Sequence, residues 1–304
     1  MIEIKGLTKR FGDTTALNSL SFSVKDGVAF GFLGRNGAGK TTTIRILMNI
    51  FREDEGEALI DGVPAHRSKK RIGYLPEERG LYAKRPVIQQ MVYIGKLKGL
   101  TQAEADKASR EGLEEMEATE YTDRKLETLS KGNQQKIQLA IALLGDPDVV
   151  ILDEPFSGLD PINAQILKDA VRRRADRGKT VIFSSHQMSQ VEEMCDDICI
   201  IDKGVIKLDG SLHAIKQSYP RDRIFVSALS SAGSTDNPER LFGGLDFVKS
   251  YEADGVGFAV TLTDASKRGD LYRDLDQRGI VPDNFSVIEP TLEQIFVEKV
   301  GDEQ

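Results

Sequence analysis

The sequence predicts an α/β fold built on a parallel core sheet, followed by a small C-terminal α+β domain. Three observations carry that prediction. The short apolar runs Val28–Leu33 and Asp148–Leu152, the second unbroken after its one acidic residue, have the texture of strands buried on both faces of a parallel sheet. Helix-compatible and strand-compatible segments then alternate from Pro161 to Asp202, as strand–helix–strand units do. Past Pro220 the texture and the charge balance both change. Residues 1–220 carry 32 basic and 32 acidic side chains, whereas 221–304 carry 9 and 16. The formal charge of −7 thus belongs entirely to the last part of the chain, and the expected domains are 1–220 and 221–304.

In chain order, Ile2–Leu7 and Leu20–Val24 read as strands separated by turns, and Val28–Leu33 as a buried strand. Thr41–Phe51 reads as a helix, because Ile44, Leu47 and Met48 fall at i, i+3 and i+4. Pro86–Glu120 is rich in Ala, Glu, Lys, Gln and Leu with no further proline, so it reads as helices. The strand Asp148–Leu152, helix Pro161–Arg177, strand Thr180–Ser184, helix Met188–Cys195 and strand Ile198–Asp202 follow. Ser227–Pro238 is small and polar, a loop or linker. Gly257–Leu262 and Ser266–Arg278 supply a strand and a helix to the tail domain. The absence of a fixed-period repeat excludes a solenoid.

Composition narrows the function classes. With 304 residues, 39% of them hydrophobic and 29% charged, the chain can build a sizeable core. No apolar run approaches the ~20 residues of a membrane span, and the start Met1-Ile-Glu-Ile-Lys lacks the layout of a signal peptide. The net acidity argues against an electrostatic nucleic-acid binder. Cys195 and Cys199 do not have the spacing of a zinc site, and read as small apolar fillers in a reduced protein.

Two motifs carry chemistry. Gly34-Arg35-Asn36-Gly37-Ala38-Gly39-Lys40-Thr41 matches the phosphate-binding P-loop pattern between an apolar strand and a helix. Glycines let successive backbone N–H groups curl around phosphates, Lys40 adds a point charge, and the Thr41 hydroxyl can ligate Mg²⁺. Thr42 follows in the same loop-to-helix turn. The strand Val149-Val-Ile-Leu152 then ends in Asp153-Glu154. A carboxylate at such a strand end is how P-loop NTPases hold Mg²⁺ from a second direction, and Glu154 is placed to orient and deprotonate an attacking water.

Further motifs follow in order, and with them the chain resembles the nucleotide-binding subunit of an ABC transporter over about residues 1–220. Leu129-Ser130-Lys131-Gly132-Asn133-Gln134-Gln135 resembles the family signature, and Ser157-Gly158-Leu159-Asp160 the D-loop. His186 matches the switch histidine, Phe11 the aromatic residue that stacks on adenine, and Glu77 falls at the Q-loop. The resemblance implies a P-loop NTPase of ABC type, with a mixed sheet core and a helical subdomain over about 82–145. It implies an ATPase using ATP and Mg²⁺, with Glu154 and His186 catalytic and Thr41, Glu77 and Asp153 at the metal. Phe11, the P-loop residues Gly34, Asn36, Gly37, Gly39, Lys40, Thr41 and Thr42, and Glu77, Ser130, Gly132, Asp153 and Asp160 are the implied ATP-binding set. Ser130 and Gly132 would complete the ATP site of a second ATP-binding subunit, in a homodimer. The implied partner is a separately encoded membrane permease, with the chain cytoplasmic and peripheral on the inner face of the membrane and no nucleic acid bound.

Two departures from the family pattern stand out. Glu77 replaces the usual glutamine and adds negative charge near the γ-phosphate, and the signature carries Lys131 and Asn133 in place of Gly and Gln. Together with Pro76-Glu-Glu-Arg-Gly-Leu-Tyr82 and Glu289-Pro-Thr-Leu-Glu-Gln-Ile-Phe296, these runs are similar to a bacterial subset of exporter ATPases that includes sodium, drug and peptide systems. The segment from Glu77 to about Leu100 is the expected permease-docking surface, with Tyr82, Val87, Tyr93 and Leu97 as candidate apolar contacts. The alternative is a soluble ABC-type ATPase acting on DNA or the ribosome. Against it stand the single P-loop, the lack of sustained heptads, and a densest basic cluster (Arg172–Arg174) that sits among acids.

Overall fold

A computed structural model of the chain describes residues 1–78, 80–228 and 238–301. These form two compact units, Met1–Leu212 together with Ile295–Gln304, and His213–Gln294. Residues 229–237 of the expected linker, and Arg79 of the run after Pro76, lie outside the described residues.

The first unit opens with β1 (Ile2–Phe11) and β2 (Thr14–Val24), an antiparallel pair that β4 (Glu55–Ile60) and β5 (Val63–Pro64) extend into a four-stranded sheet of order β2-β1-β4-β5. The second sheet is built from β3 (Ala29–Leu33), β6 (Ile72–Leu75), β7 (Val149–Asp153), β8 (Thr180–Ser185), β9 (Asp197–Asp202) and β10 (Val205–Ser211). Its order is β10-β9-β3-β8-β7-β6, parallel throughout except for the edge strand β10. Strands β3, β7 and β8 are buried at every position, which is why their sequences are unbroken apolar runs. The two sheets share a core in which Phe22 stacks on Phe30 and Phe32 at 5.6 and 5.3 Å between ring centroids.

Helix α1 (Lys40–Leu47) follows β3 directly. It stops four residues short of the expected Phe51: Asn49 adopts φ 57°, and the N–H groups of Ile50 and Phe51 both turn back to the Arg45 carbonyl. Inserted before β7 are α2 (Val87–Leu97), α3 (Gln102–Glu115) and α4 (Lys131–Leu143). The stretch Pro86–Glu120, expected to be helical, divides into α2 and α3 at Gly99, with φ 93°, and Thr101, which caps α3 in a reciprocal pair with Glu104. Helix α4 is buried from Gln135 to Leu143 and forms the centre of this helical layer. Helices α5 (Pro161–Asp176) and α6 (Met188–Met194) complete the crossovers between β7, β8 and β9, and α7 (Leu212–Ser218) follows β10.

The second unit contains β11 (Arg223–Ala228), α8 (Pro238–Phe242), β12 (Val248–Asp254), β13 (Gly257–Leu262), α9 (Arg268–Gln277) and β14 (Pro282–Val287). Its sheet order β12-β13-β11-β14, antiparallel throughout, is the ferredoxin-like βαββαβ arrangement. Leu241, Phe242, Leu271 and Leu275 from the helices close its core against Ile224, Val226, Val260 and Leu262. The last helix, α10, spans Leu292–Gly301. No described helix is long and apolar enough to cross a membrane.

Candidate functional site

Strands β3, β8 and β7 are adjacent and parallel, so their C-terminal ends lie on one edge of the sheet, where ligands of open α/β sheets bind. The register pairs Leu33 with Ser185 and Asp153 with Ser184. Three chain segments therefore arrive together: the loop from Gly34 to Lys40, the Asp153–Glu154 pair, and Ser185–His186. Strand β6 lies on the far side of β7, with Leu75 opposite Leu152, and delivers Glu77 to the same edge. Between them is a cavity of about 250 Å³. Asn36, Gly37, Gly39, Lys40, Thr41 and Thr42 line one side, and Glu77, Asp153 and Glu154 the other.

The loop is shaped by close packing beneath it. A Cβ on Gly39, which sits at φ 111°, would lie 2.6 Å from Leu17 Cδ2 and 2.9 Å from the Ala16 carbonyl, so no other residue fits. At Gly34 the obstacle is the Ile201 carbonyl, 2.4 Å from where a Cβ would be. Lys40 folds back to donate from Nζ to the carbonyls of Gly34 at 2.6 Å and Arg35 at 3.3 Å. Burial lowers its pKa, and Glu154, Asp153 and Glu77 oppose that by favouring the ammonium. Such a loop, opening into a helix N-terminus, can hold a polyphosphate through backbone N–H groups and one fixed cation.

The acids differ in their surroundings. Asp153 is buried, and burial raises its carboxyl pKa; Glu77 and Glu154 push the same way, and Lys40 opposes them. Glu154 is also buried, at φ 50°, in the left-handed region that a glutamate rarely occupies. Its Oε2 accepts from Ser185 Oγ at 3.0 Å, and its Oε1 accepts from the His186 backbone N–H at 2.9 Å and lies 2.6 Å from His186 Nδ1. The His186 ring itself is half exposed. A carboxylate so oriented beside a polyphosphate loop can position and deprotonate a water.

The remaining expected residues sit elsewhere. Phe11, at the end of β1, is 44% exposed and does not line the cavity, although Ala16, two residues beyond its pairing partner Thr14, does. Ser130 caps α4, its Oγ accepting from Asn133 N–H at 3.3 Å. Asp160 caps α5, accepting from the backbone and side chain of Asn163 at 2.9 and 2.6 Å, bonds that hold its pKa below the usual range. A Cβ on Gly132 would come within 3.4 Å of Asn163 Nδ2, so the starts of α4 and α5 adjoin. Ser130, Gly132 and Asp160 thus form a second locus outside the cavity lining. Val87, expected as a docking contact, is fully buried: it faces the core side of α2, whereas Tyr82, Tyr93 and Leu97 are exposed.

Two positions escaped sequence reasoning. Ser185 holds the Glu154 carboxylate, and Gln135 donates from Nε2 to the Pro155 carbonyl at 3.0 Å, tying α4 to the segment after Glu154. Both contacts join residues distant in the chain: Ser185 lies outside every motif, and Gln135 ends the signature-like run, whose spacing does not reveal its bond to Pro155.

The donor set also bears on a metal. Among the described residues no cluster of three or more His, Cys, Asp or Glu could hold an ion alone. The Thr41 hydroxyl with Asp153 and Glu77 is instead a partial set, of the kind that Mg²⁺ completes with phosphate oxygens and water.

Comparison with known proteins gives one consistent picture. Residues 17–157 match the model of the ABC transporter family, and 210–300 that of the ATP-binding protein DrrA1-3-like C-terminal domain. The chain is 41% identical over 304 residues to the ABC transporter ATP-binding protein YhaQ of Bacillus subtilis, covering 99% of both chains. It is 35% identical to the Nod factor export ATP-binding protein I of Burkholderia lata, over 71% of this chain and 73% of that one. A solved ATP-binding subunit of an ABC transporter superposes with a TM-score of 0.66 at 27% identity, covering 72% of this chain and 92% of the other.

Proposed function

The chain belongs to the ABC transporter family of ATP-binding proteins, and on that premise we propose that it dimerises on MgATP and drives a separately encoded membrane permease in the direction of export. ATP hydrolysis is the activity of that family. The observation that carries the present reading is the Glu154 carboxylate, held by Ser185 and His186 at the edge of the cavity that the Gly34–Lys40 loop encloses.

In this reading the loop N–H groups and Lys40 bind the β- and γ-phosphates. Thr41, Asp153 and Glu77 would hold Mg²⁺, which when bound neutralises charge on the phosphate oxygens. Glu154 takes a proton from the water that attacks the γ-phosphorus, as the bond to the β-phosphate oxygen breaks and ADP and phosphate leave. His186 anchors Glu154 and senses the γ-phosphate. Phe11 stacks on adenine. Ser130 and Gly132, outside the cavity of their own subunit, complete the site of the second subunit, and Asp160 links the two sites.

Export is supported by the Nod factor export protein among the relatives. The docking surface for the permease is the exposed side of α2 together with the segment before it, where Tyr82, Arg85, Gln89 and Tyr93, with the buried Gln90 beneath, line a cavity of about 430 Å³. Binding there places the chain on the cytoplasmic face of the membrane. The acidic tail 221–304 serves dimer support or regulation, since adhesion to anionic lipid calls for basic segments.

The test is Glu154→Gln. This variant should bind ATP, lose phosphate release by about a hundredfold or more, and accumulate as an ATP-bound dimer in size-exclusion chromatography. Phosphate release at the wild-type rate would remove Glu154 from the chemistry.

A further inference from the structure

Phe11 ends β1, whose pairing partner β2 brings Ala16 to the cavity lining, and its ring is engaged by two neighbours. Phe51 meets it in a T-shaped contact, with centroids 5.4 Å apart and planes at 68°. Lys9 Nζ lies 5.5 Å from the ring centroid, over the π-face. The same ammonium donates to Asp54 Oδ1 at 2.8 Å, while Asp54 Oδ2 accepts from the Arg10 backbone N–H at 2.6 Å. Asp54 therefore grips the two residues immediately before Phe11, one through its side chain and one through its backbone. Its own N–H donates to the Thr8 carbonyl at 3.0 Å, which pins the carboxylate to the strand. Phe51 packs on the core of the first unit, and Arg45 of α1, the helix that begins at Lys40, lies 5.6 Å over its ring.

We propose that Asp54 is a positioning residue for the base-stacking platform: with Phe51 behind the ring, it fixes Phe11 so that one rigid surface stays open to the adenine of ATP. The inference rests on the reading of the cavity as an ATP site and of Phe11 as its stacking residue. It goes beyond that reading in assigning the platform's order to a carboxylate that touches no part of the nucleotide. A ring already held on its other sides loses little freedom when a base stacks on it, so its support appears directly in affinity. The contribution is specific to the base. The phosphates are bound by the Gly34–Lys40 loop, which shares no hydrogen bond with Asp54.

The experiment compares ATP with tripolyphosphate, both with Mg²⁺, as ligands of the full chain, using isothermal titration of wild type, Phe11→Ala, Asp54→Ala, Asp54→Asn and Phe51→Ala. Phe11→Ala should weaken ATP by about fivefold to a hundredfold and leave tripolyphosphate unchanged. Asp54→Ala and Phe51→Ala should weaken ATP by about threefold or more without touching tripolyphosphate. Asp54→Asn, which keeps an acceptor for the Arg10 N–H and loses the ion pair, should fall between wild type and Asp54→Ala. It also carries the measurement if the alanine variant does not fold. Equal loss for both ligands, or unchanged ATP affinity in both Asp54 variants beside a selective Phe11→Ala, overturns the role of Asp54 and leaves stacking intact. If Phe11→Ala itself binds ATP as wild type does, the stacking reading falls and the inference with it.

Discussion

At the level of single residues, the cavity is notable for its charge. Arg35 and Lys40 supply two positive groups to its lining, and Glu77, Asp153 and Glu154 three negative ones, so the walls that receive a polyanion carry a net charge of 2 − 3 = −1. Glutamine at position 77 would bring that sum to zero. Glu77 is exposed and its field is partly screened, yet it reaches far enough to favour the charged form of Lys40 and disfavour that of Asp153. Unit charges several ångströms apart near a surface interact by about 1 kcal/mol or a little more. Glu77→Gln should therefore tighten metal-free ATP binding by about fivefold, while MgATP, whose cation offsets the carboxylate, changes by less than half as much on a logarithmic scale. Fluorescence titration with EDTA and with MgCl₂ measures both. An equal change in the two conditions, or none, would show that Glu77 acts by a route other than charge. Motif spacing and the family resemblance named Lys40, Asp153, Glu154 and His186, and the first three line one cavity with His186 against Glu154. Ser185 and Asp54 were not named, since their roles arise from strands pairing across the sheet and from a loop returning 44 residues later to Arg10.

Among the elements, α4 shows how a buried helix end is satisfied. Lys98, just past the end of α2, donates from Nζ to the carbonyls of Ile141 at 2.7 Å and Ala142 at 2.9 Å in the last turn of α4. A cation there complements both the orphan carbonyls and the negative end of the helix. Burial nevertheless pulls its pKa from 10.5 to about 8. Because the folded-state value lies below the unfolded one, the unfolded chain binds more protons between these pH values, and the contribution of Lys98 to stability rises as pH climbs from about 8 toward 10.5. Urea unfolding of wild type at pH 7.5 and 9.5, set against Lys98→Met, should show a gain at the higher pH that the variant lacks. Identical pH dependence in the two would exclude the effect. The elements legible in the sequence were those whose environment is uniform. β3, β7 and β8 came within a residue or so of their ends because every position is buried. β4 was missed, its first three residues being exposed and its last three buried, and so was β14, which alternates weakly at a sheet edge. The expected helix Thr41–Phe51 overran because Met48 and Phe51 continue the apolar spacing, although the backbone reverses at Asn49.

For the whole molecule, composition and packing divide the chain differently. Charge separates 1–220 from 221–304, and the second stretch folds its own core around the ferredoxin-like sheet. The compact units instead return Ile295–Gln304 to the first, nucleotide-binding unit. Helix α10 explains why a linear reading of charge missed this: Leu292, Ile295 and Val300 are buried along one side of it, while Val297 is 60% exposed. Apolar spacing of this kind shows that a helix packs, and not which neighbour it packs on. The grouping has a measurable consequence. Ending the chain after Gln294 removes Ile295, fully buried, and Val300, 5% exposed, each worth about 1.5–3 kcal/mol of burial as an upper estimate. The truncated protein should melt several degrees lower, roughly 2–4 °C for each kcal/mol lost in a chain of this size. Every residue lining the nucleotide cavity lies between Ala16 and Glu154, so MgATP affinity measured well below the transition should stay within about twofold of the full chain. Differential scanning calorimetry and nucleotide titration on the same preparation separate the two effects. An unchanged melting temperature would mean that the last ten residues contribute nothing to the first unit, and a large loss of affinity at 25 °C would mean that they reach the site as well as the fold.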